Sequence, residues 1–259
     1  MRFSFQIKKF LWILNNYRSI QLEKTYLSNH FGSPTTYDTD GILTCNNCDF
    51  IKEKKFEKAY IAAQDTKPWP GFTLQWRVYI VCWFANHIKN LEGDYVECGV
   101  NTGAYSRAVI DYIDFNSTGK TFYLLDTFDG FPDGQINEEE KKNGISYYEG
   151  DHYKNVFEQV LETFKSFNVK VIKGTVPETL SQCKAEKIVY LSIDMNASFP
   201  EIACAEYFWD KIVKGGVVIL DDYGFPLHIQ QKLAFDKFAK ERNIEIMSLP
   251  TGQGIIIKQ

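Results

Sequence analysis

From residue 93 onward the chain alternates between apolar runs and amphipathic stretches, and that alternation leaves few folds open. The apolar runs fall at 95–99, 121–126, 169–173, 187–193, 216–221, 244–248 and 254–258. Helical spacing falls between the first six of them, at 103–114, 154–166, 177–183, 199–213 and 228–242. Strands separated by helices are joined by right-handed crossovers, so the pattern predicts an α/β fold with a mostly parallel, seven-stranded sheet. Only Pro250-Thr251-Gly252-Gln253 separates the last two runs. That is too short for a crossover and predicts an antiparallel hairpin at the end of the sheet.

Residues 1–92 lack this alternation and read as a helical extension ahead of a catalytic domain at 93–259. Helices are expected over 5–16, 17–29 and 53–64. Another is expected over 73–90, where Leu74, Val78, Val81, Cys82 and Ala85 share one face. Ser33 to Gly41 is polar and turn-rich, and Pro68-Trp69-Pro70-Gly71 is a break. Phe10-Leu11-Trp12-Ile13-Leu14 is too short to span a bilayer, and no small-residue cleavage site follows it. An amphipathic helix there docks on its own protein or on a second subunit, and we expect a homo-oligomer built through it. Peripheral membrane contact through Phe3, Phe5, Phe10 and Trp12 is the alternative.

The net charge of −4, without a basic run, argues against nucleic acid as partner. Cys45-Asn46-Asn47-Cys48 lacks the second pair a zinc site needs, so the six scattered cysteines read as free thiols in a cytoplasmic protein. The charge run Glu138-Glu139-Glu140-Lys141-Lys142 reads as a solvated loop or the start of a helix.

Three of the runs end in an acid beside a glycine or a second acid, and ligands of open α/β sheets bind beyond the carboxyl ends of the strands. Glu97-x-Gly99-x-x-x-Gly103 joins the first strand to its helix, where glycine lets the backbone approach a ligand and the helix start offers free N–H groups. Asp126 ends the next strand, in place for two ribose hydroxyls. Glu97 disfavours a pyrophosphate and suits a cationic group such as the ammonium or sulfonium of S-adenosylmethionine. Asp194 and the pair Asp221-Asp222 end two later strands; such carboxylates repel unless a hard cation, Mg²⁺ by default, complements them.

Taken together these segments resemble the macrocin O-methyltransferase family over roughly 70–259. The resemblance rests on Glu97-Cys98-Gly99-Val100, Asp126-Thr127-Phe128-Asp129-Gly130-Phe131, Lys173-Gly174 with Glu178-Thr179-Leu180, Ile193-Asp194, Gly215 to Gly224, and Pro250 to Gly254. It implies a Rossmann-like class I fold and an S-adenosylmethionine- and Mg²⁺-dependent O-methyltransferase acting on a sugar hydroxyl in a natural product or surface polysaccharide precursor. The cofactor set it implies is Glu97, Gly99, Asn101, Gly103, Ser106, Asp126, Thr127 and Gly174, with Thr73 more distantly matched. The metal set is Asp194, Asp221 and Asp222.

Two departures stand out. Asn196 occupies the place of a second acid after Asp194, and Asn101 replaces a bulky aromatic. The base that takes the hydroxyl proton is then Asp194 or His228. Phe131, Tyr147, Tyr148 and His152 lie in a loop expected to cover the site. A phenolic or phosphorus-containing acceptor, a nicotinamide-dependent dehydrogenase and a non-catalytic subunit are the rival readings.

Overall fold

The computed structural model describes residues 21–259 apart from 23, 24, 27, 31, 70, 133 and 144–153. The helix expected over 5–16, with Phe5, Phe10 and Trp12, lies outside the described residues, as do Phe3, Tyr147, Tyr148 and His152. Of the helix expected over 17–29, residues 21, 22, 25, 26, 28 and 29 are described and helical. The chain divides after Phe50 into two compact units.

The first unit holds a feature that the turn-rich reading missed. β1 (Tyr37–Thr39) and β2 (Ile42–Thr44) pair antiparallel, with Tyr37 opposite Thr44. Asp40 and Gly41 both have positive φ, as a two-residue hairpin turn of the mirror-image type requires.

The second unit begins with α1 (Lys54–Asp65) and α2 (Gln75–Ile88) and continues as an alternating α/β layer structure. Its strands are β3 (Asp94–Cys98), β4 (Phe122–Asp126), β5 (Val169–Lys173), β6 (Ile188–Ile193), β7 (Ile212–Leu220), β8 (Met247–Ser248) and β9 (Gly254–Ile257). They form one sheet in the order β5-β4-β3-β6-β7-β9-β8. All pairings are parallel except those of β9 with β7 and β8. The expected closing hairpin is therefore present, and its second strand lies inside the sheet. The helices are α3 (Ala104–Ile113), α4 (Glu138–Lys142), α5 (Phe157–Phe164), α6 (Ser198–Phe208) and α7 (Ile229–Arg242).

Two expectations need correction. The helix expected over 177–183 is a single 3-10 turn, Leu180–Gln182, in a connection that Pro177 interrupts. The helix expected over 199–213 stops at Phe208, and β7 begins at Ile212 rather than 216. Gly215-Gly216 suggests a turn in the sequence, but here it is a bulge. Pairing with β6 jumps from Ile188–Ile212 to Tyr190–Val217, and a side chain at Gly216 would press on Ile212 and the Val213 carbonyl.

β6 is buried along its whole length, between β3 and β7. Tyr95 and Tyr190 stack across β3 and β6 with centroids 5.1 Å apart, and the Tyr95 hydroxyl donates to the Ala85 carbonyl at 2.8 Å, fixing α2 against the sheet. The chain runs outward from β3 to β5, then returns to place β6 on the other side of β3. That reversal opens a crevice at the carboxyl ends of β3 and β6.

Candidate active site

The glycine loop after β3 is shaped by how closely it approaches β6. Gly99 has φ +86°, and a methyl group there would overlap the Asp194 carbonyl oxygen. Gly103, at φ +88°, lies against the Phe164 ring, which a side chain there would also overlap. Both positions therefore need glycine. Below the loop, buried Glu97 accepts a hydrogen bond from the Ser106 hydroxyl in the first turn of α3. Burial pushes the Glu97 carboxyl up to about 8, with the nearby Asp126 and Asp221 adding to the rise and the Ser106 bond opposing it.

Asp126 holds the loop from the next strand. One of its oxygens accepts from the Val100 and Asn101 N–H groups at 2.6 and 2.8 Å, the other from the Phe128 N–H at 2.7 Å. Thr127 lies against Asp126 and donates to the Gly130 carbonyl, and Gly174 donates its N–H to the Asp126 carbonyl. Glu97, Gly99, Asn101, Gly103, Ser106, Asp126, Thr127 and Gly174 thus gather at the ends of β3, β4 and β5. The Asn101 side-chain oxygen is buried with no hydrogen-bond partner in the protein. Thr73 is different: it is exposed, just ahead of α2.

Across the crevice, Asp194, Asp221 and Asp222 converge from the ends of β6 and β7. Each offers an oxygen within 4.8 Å of the others, close enough to share one cation. Burial raises Asp194 well above the usual carboxylate range, with repulsion from Asp221 and Asp222 added to it. Asp222 is pushed up to about 7 by burial and by Asp221, with Arg77 pulling the other way. His228 is buried, its Nε2 3.6 Å from Asp222, and burial lowers it to about 4, so its imidazole is neutral at pH 7. Asn196, at φ +57°, places its amide 3.5 Å from Asp194.

Four residues essential to this arrangement were not singled out from the sequence. Arg77 reaches from α2 to Asp221 at 2.7 Å and to Asp222 at 3.6 Å, both sides of the first pair being more than nine-tenths buried. Gln253, wholly buried, donates to the other Asp221 oxygen at 3.1 Å. Glu201, raised well above its ordinary range by burial, accepts from the Met195 N–H and from Gln231. Glu140, in the run read as solvated, is buried instead. One of its oxygens closes a capping box with Asn137 and the other accepts from the Ser198 N–H at the start of α6. For Arg77 a signal existed: with Val81 and Ala85 it forms an i, i+4, i+8 stripe, and an arginine in a buried stripe requires an acidic partner.

A sheet of this order, with an acidic glycine loop on its first parallel strand, is the Rossmann-like fold of the class I methyltransferases. Solved structures with this fold include the O-methyltransferase NovP, 19% identical with a TM-score of 0.63 over 78% of this chain and 88% of that one. The calicheamicin methyltransferase CalS11 is 16% identical, with a TM-score of 0.59 over 87% and 98%. An O-methyltransferase from Bacillus cereus, solved in complex with SAH, is 13% identical, with a TM-score of 0.52 over 81% and 96%. The curated proteins contain no match. The family profile described as Macrocin-O-methyltransferase (TylF) matches residues 76–248, and the chain belongs to that family. It is an S-adenosylmethionine-dependent O-methyltransferase.

Proposed function

We propose that the chain methylates a hydroxyl of a sugar or sugar-containing metabolite, with Mg²⁺ at the cluster of Asp194, Asp221 and Asp222. The observation that carries this reading is the convergence of three carboxylates from the two strands next to the glycine loop, β6 and β7. The donor set fits a hard divalent cation: all ligands are oxygens, and two of the carboxyls are held in a setting that favours added positive charge. The solved structure of CalS11 described as a TDP-rhamnose 3'-O-methyltransferase shares this fold at 15% identity and a TM-score of 0.53, which favours a sugar acceptor.

When bound, S-adenosylmethionine supplies an electrophilic methyl group and the cation acidifies and orients neighbouring acceptor hydroxyls. Glu97 and the loop from Gly99 to Gly103 hold the amino-acid part of the cofactor, with Asn101 and Ser106 beside it, and Asp126, Thr127 and Gly174 line its ribose side. A cofactor held in this way would supply its methyl group to an acceptor hydroxyl, giving a methyl ether and S-adenosylhomocysteine. Asp194, placed beside both the cation and the acceptor, takes the hydroxyl proton. His228 is the weaker candidate because burial makes it reluctant to be protonated. Asn196 accepts no proton at all.

In this reading residues 93–259 are the catalytic domain and 1–92 a helical extension through which copies of the chain associate in the cytoplasm. Among the described residues no helix is long and apolar enough to cross a membrane.

Calorimetry with S-adenosylmethionine and S-adenosylhomocysteine, with and without Mg²⁺, tests the cofactor side. Binding at about micromolar Kd is expected for the wild type and loss of it for Asp126→Ala; wild type that binds neither compound refutes the assignment. For the metal side, Asp222→Ala is expected to abolish transfer. Wild-type transfer by that variant without added metal sinks the scheme.

A further inference from the structure

The three carboxylates of the cluster are not equivalent. Asp221 is clamped on both oxygens, by Arg77 at 2.7 Å and by Gln253 at 3.1 Å. The guanidinium is held in turn by the Phe225 ring, whose centroid lies 4.3 Å from its central carbon. Phe225 packs against Gly252, where any side chain would overlap it. Asp194 and Asp222 have looser polar neighbours: Asn196 lies 3.5 Å from Asp194, and His228 and the same Arg77 each lie 3.6 Å from Asp222. Three negative charges against one positive leave two negative when every group is ionised.

We propose that Arg77 is a permanent, built-in cation of this site, which compensates Asp221 and leaves Asp194 and Asp222 to receive one divalent ion. This inference rests on the metal reading given above and adds to it a residue that sets the affinity. Arg77 is a positioning residue. It fixes the Asp221 carboxylate before any ion arrives, and it keeps three clustered carboxylates compatible with a folded protein in the ion's absence. Its positive charge also repels an incoming cation, so the same residue that stabilises the empty cluster weakens metal binding. An arginine suits this better than a lysine, because its planar fork spans two carboxylates and stacks on an aromatic ring.

The test is Mn²⁺ binding, read from the paramagnetic resonance of free Mn²⁺, together with melting of the metal-free protein. Removing a charge next to the ion is expected to strengthen binding roughly tenfold or more in Arg77→Met, while the metal-free variant melts below wild type and regains stability with Mn²⁺. Arg77→Lys keeps the charge, and its affinity is expected within about threefold of wild type. Arg77→Gln keeps a donor toward Asp221 and gives the same reading as the methionine variant if that one does not fold. A purely structural role would leave the affinity unchanged or lower it, and that result in a folded neutral variant, beside normal wild-type binding, overturns the proposal. Failure of both neutral variants to fold even with Mn²⁺ also overturns it, because the ion then cannot take over from the guanidinium. No Mn²⁺ binding by wild type or variant refutes the metal reading and this proposal with it.

Discussion

The two sides of the crevice hold their acids in opposite ways. At the ends of β3 and β4, Asp126 is held by backbone N–H groups of nearby loops and Glu97 by a serine one helical turn into α3. At the ends of β6 and β7, side chains do the work: Arg77 meets Asp221 from 144 residues away, and Gln253 from 32. The first side is largely a local construction, built by β3, α3 and β4 and closed by Gly174 after β5. The second exists only when α2, β7 and the β8–β9 turn are assembled. A backbone-built site tolerates surface change but not loss of its glycines; a site built from side chains depends on charge balance.

The largest break in this contrast is expected from Gly99→Ala. Its methyl group meets the Asp194 carbonyl oxygen, so one substitution strains the backbone-built side and displaces the strand end that carries the acid cluster. We expect a loss of roughly 3 kcal/mol or more in urea unfolding. A loss under about 1 kcal/mol would mean that the two sides adjust independently.

A smaller effect separates the sides by pH. Glu97 is held at about 8 in the fold, against an ordinary value of 4.5. Between those values the folded state keeps a proton that the unfolded state has released. The stability this provides is full below the lower value and is lost as pH rises through the upper one. The metal-free protein should therefore melt at falling temperature as pH rises toward 8, and Glu97→Gln should flatten that slope. An unchanged slope would assign it to the other raised acids, Asp194, Asp222 and Glu201.

The smallest effect is expected at Glu140→Gln, which keeps the shape but removes the charge and leaves one accepting oxygen for two backbone N–H groups. About 1 kcal/mol is expected in urea unfolding, with the glycine-loop side untouched, as cofactor calorimetry would show. Weakened cofactor binding would mean that the start of α6 is coupled to the loop across the sheet.

The same contrast explains what the sequence disclosed. The parallel strands, the closing hairpin and the grouping of Glu97, Gly99 and Asp126 are local patterns, visible as periodicity and as glycines flanked by acids. The convergence of Asp194, Asp221 and Asp222 follows from strand order. Arg77 and Gln253 were hidden because their roles come from distant packing. Glu140 was misread because a run of charges suggests solvent, and only the placing of α6 buries one of them. The start of β7, expected at 216, and the hairpin around Asp40-Gly41 were missed for one reason: glycine marks a change of backbone direction without saying whether a strand ends there or continues.

The position of β9 has a consequence for how the molecule is made. It pairs with β7 on one side and β8 on the other, yet it is synthesised after both. Until residues 254–257 have left the ribosome, the apolar stretch Val217–Leu220 is an open sheet edge, and Asp221 lacks the amide of Gln253. A stalled or shortened nascent chain therefore presents an unpaired strand ready to join another, and the acid cluster reaches its final form only with the last strand.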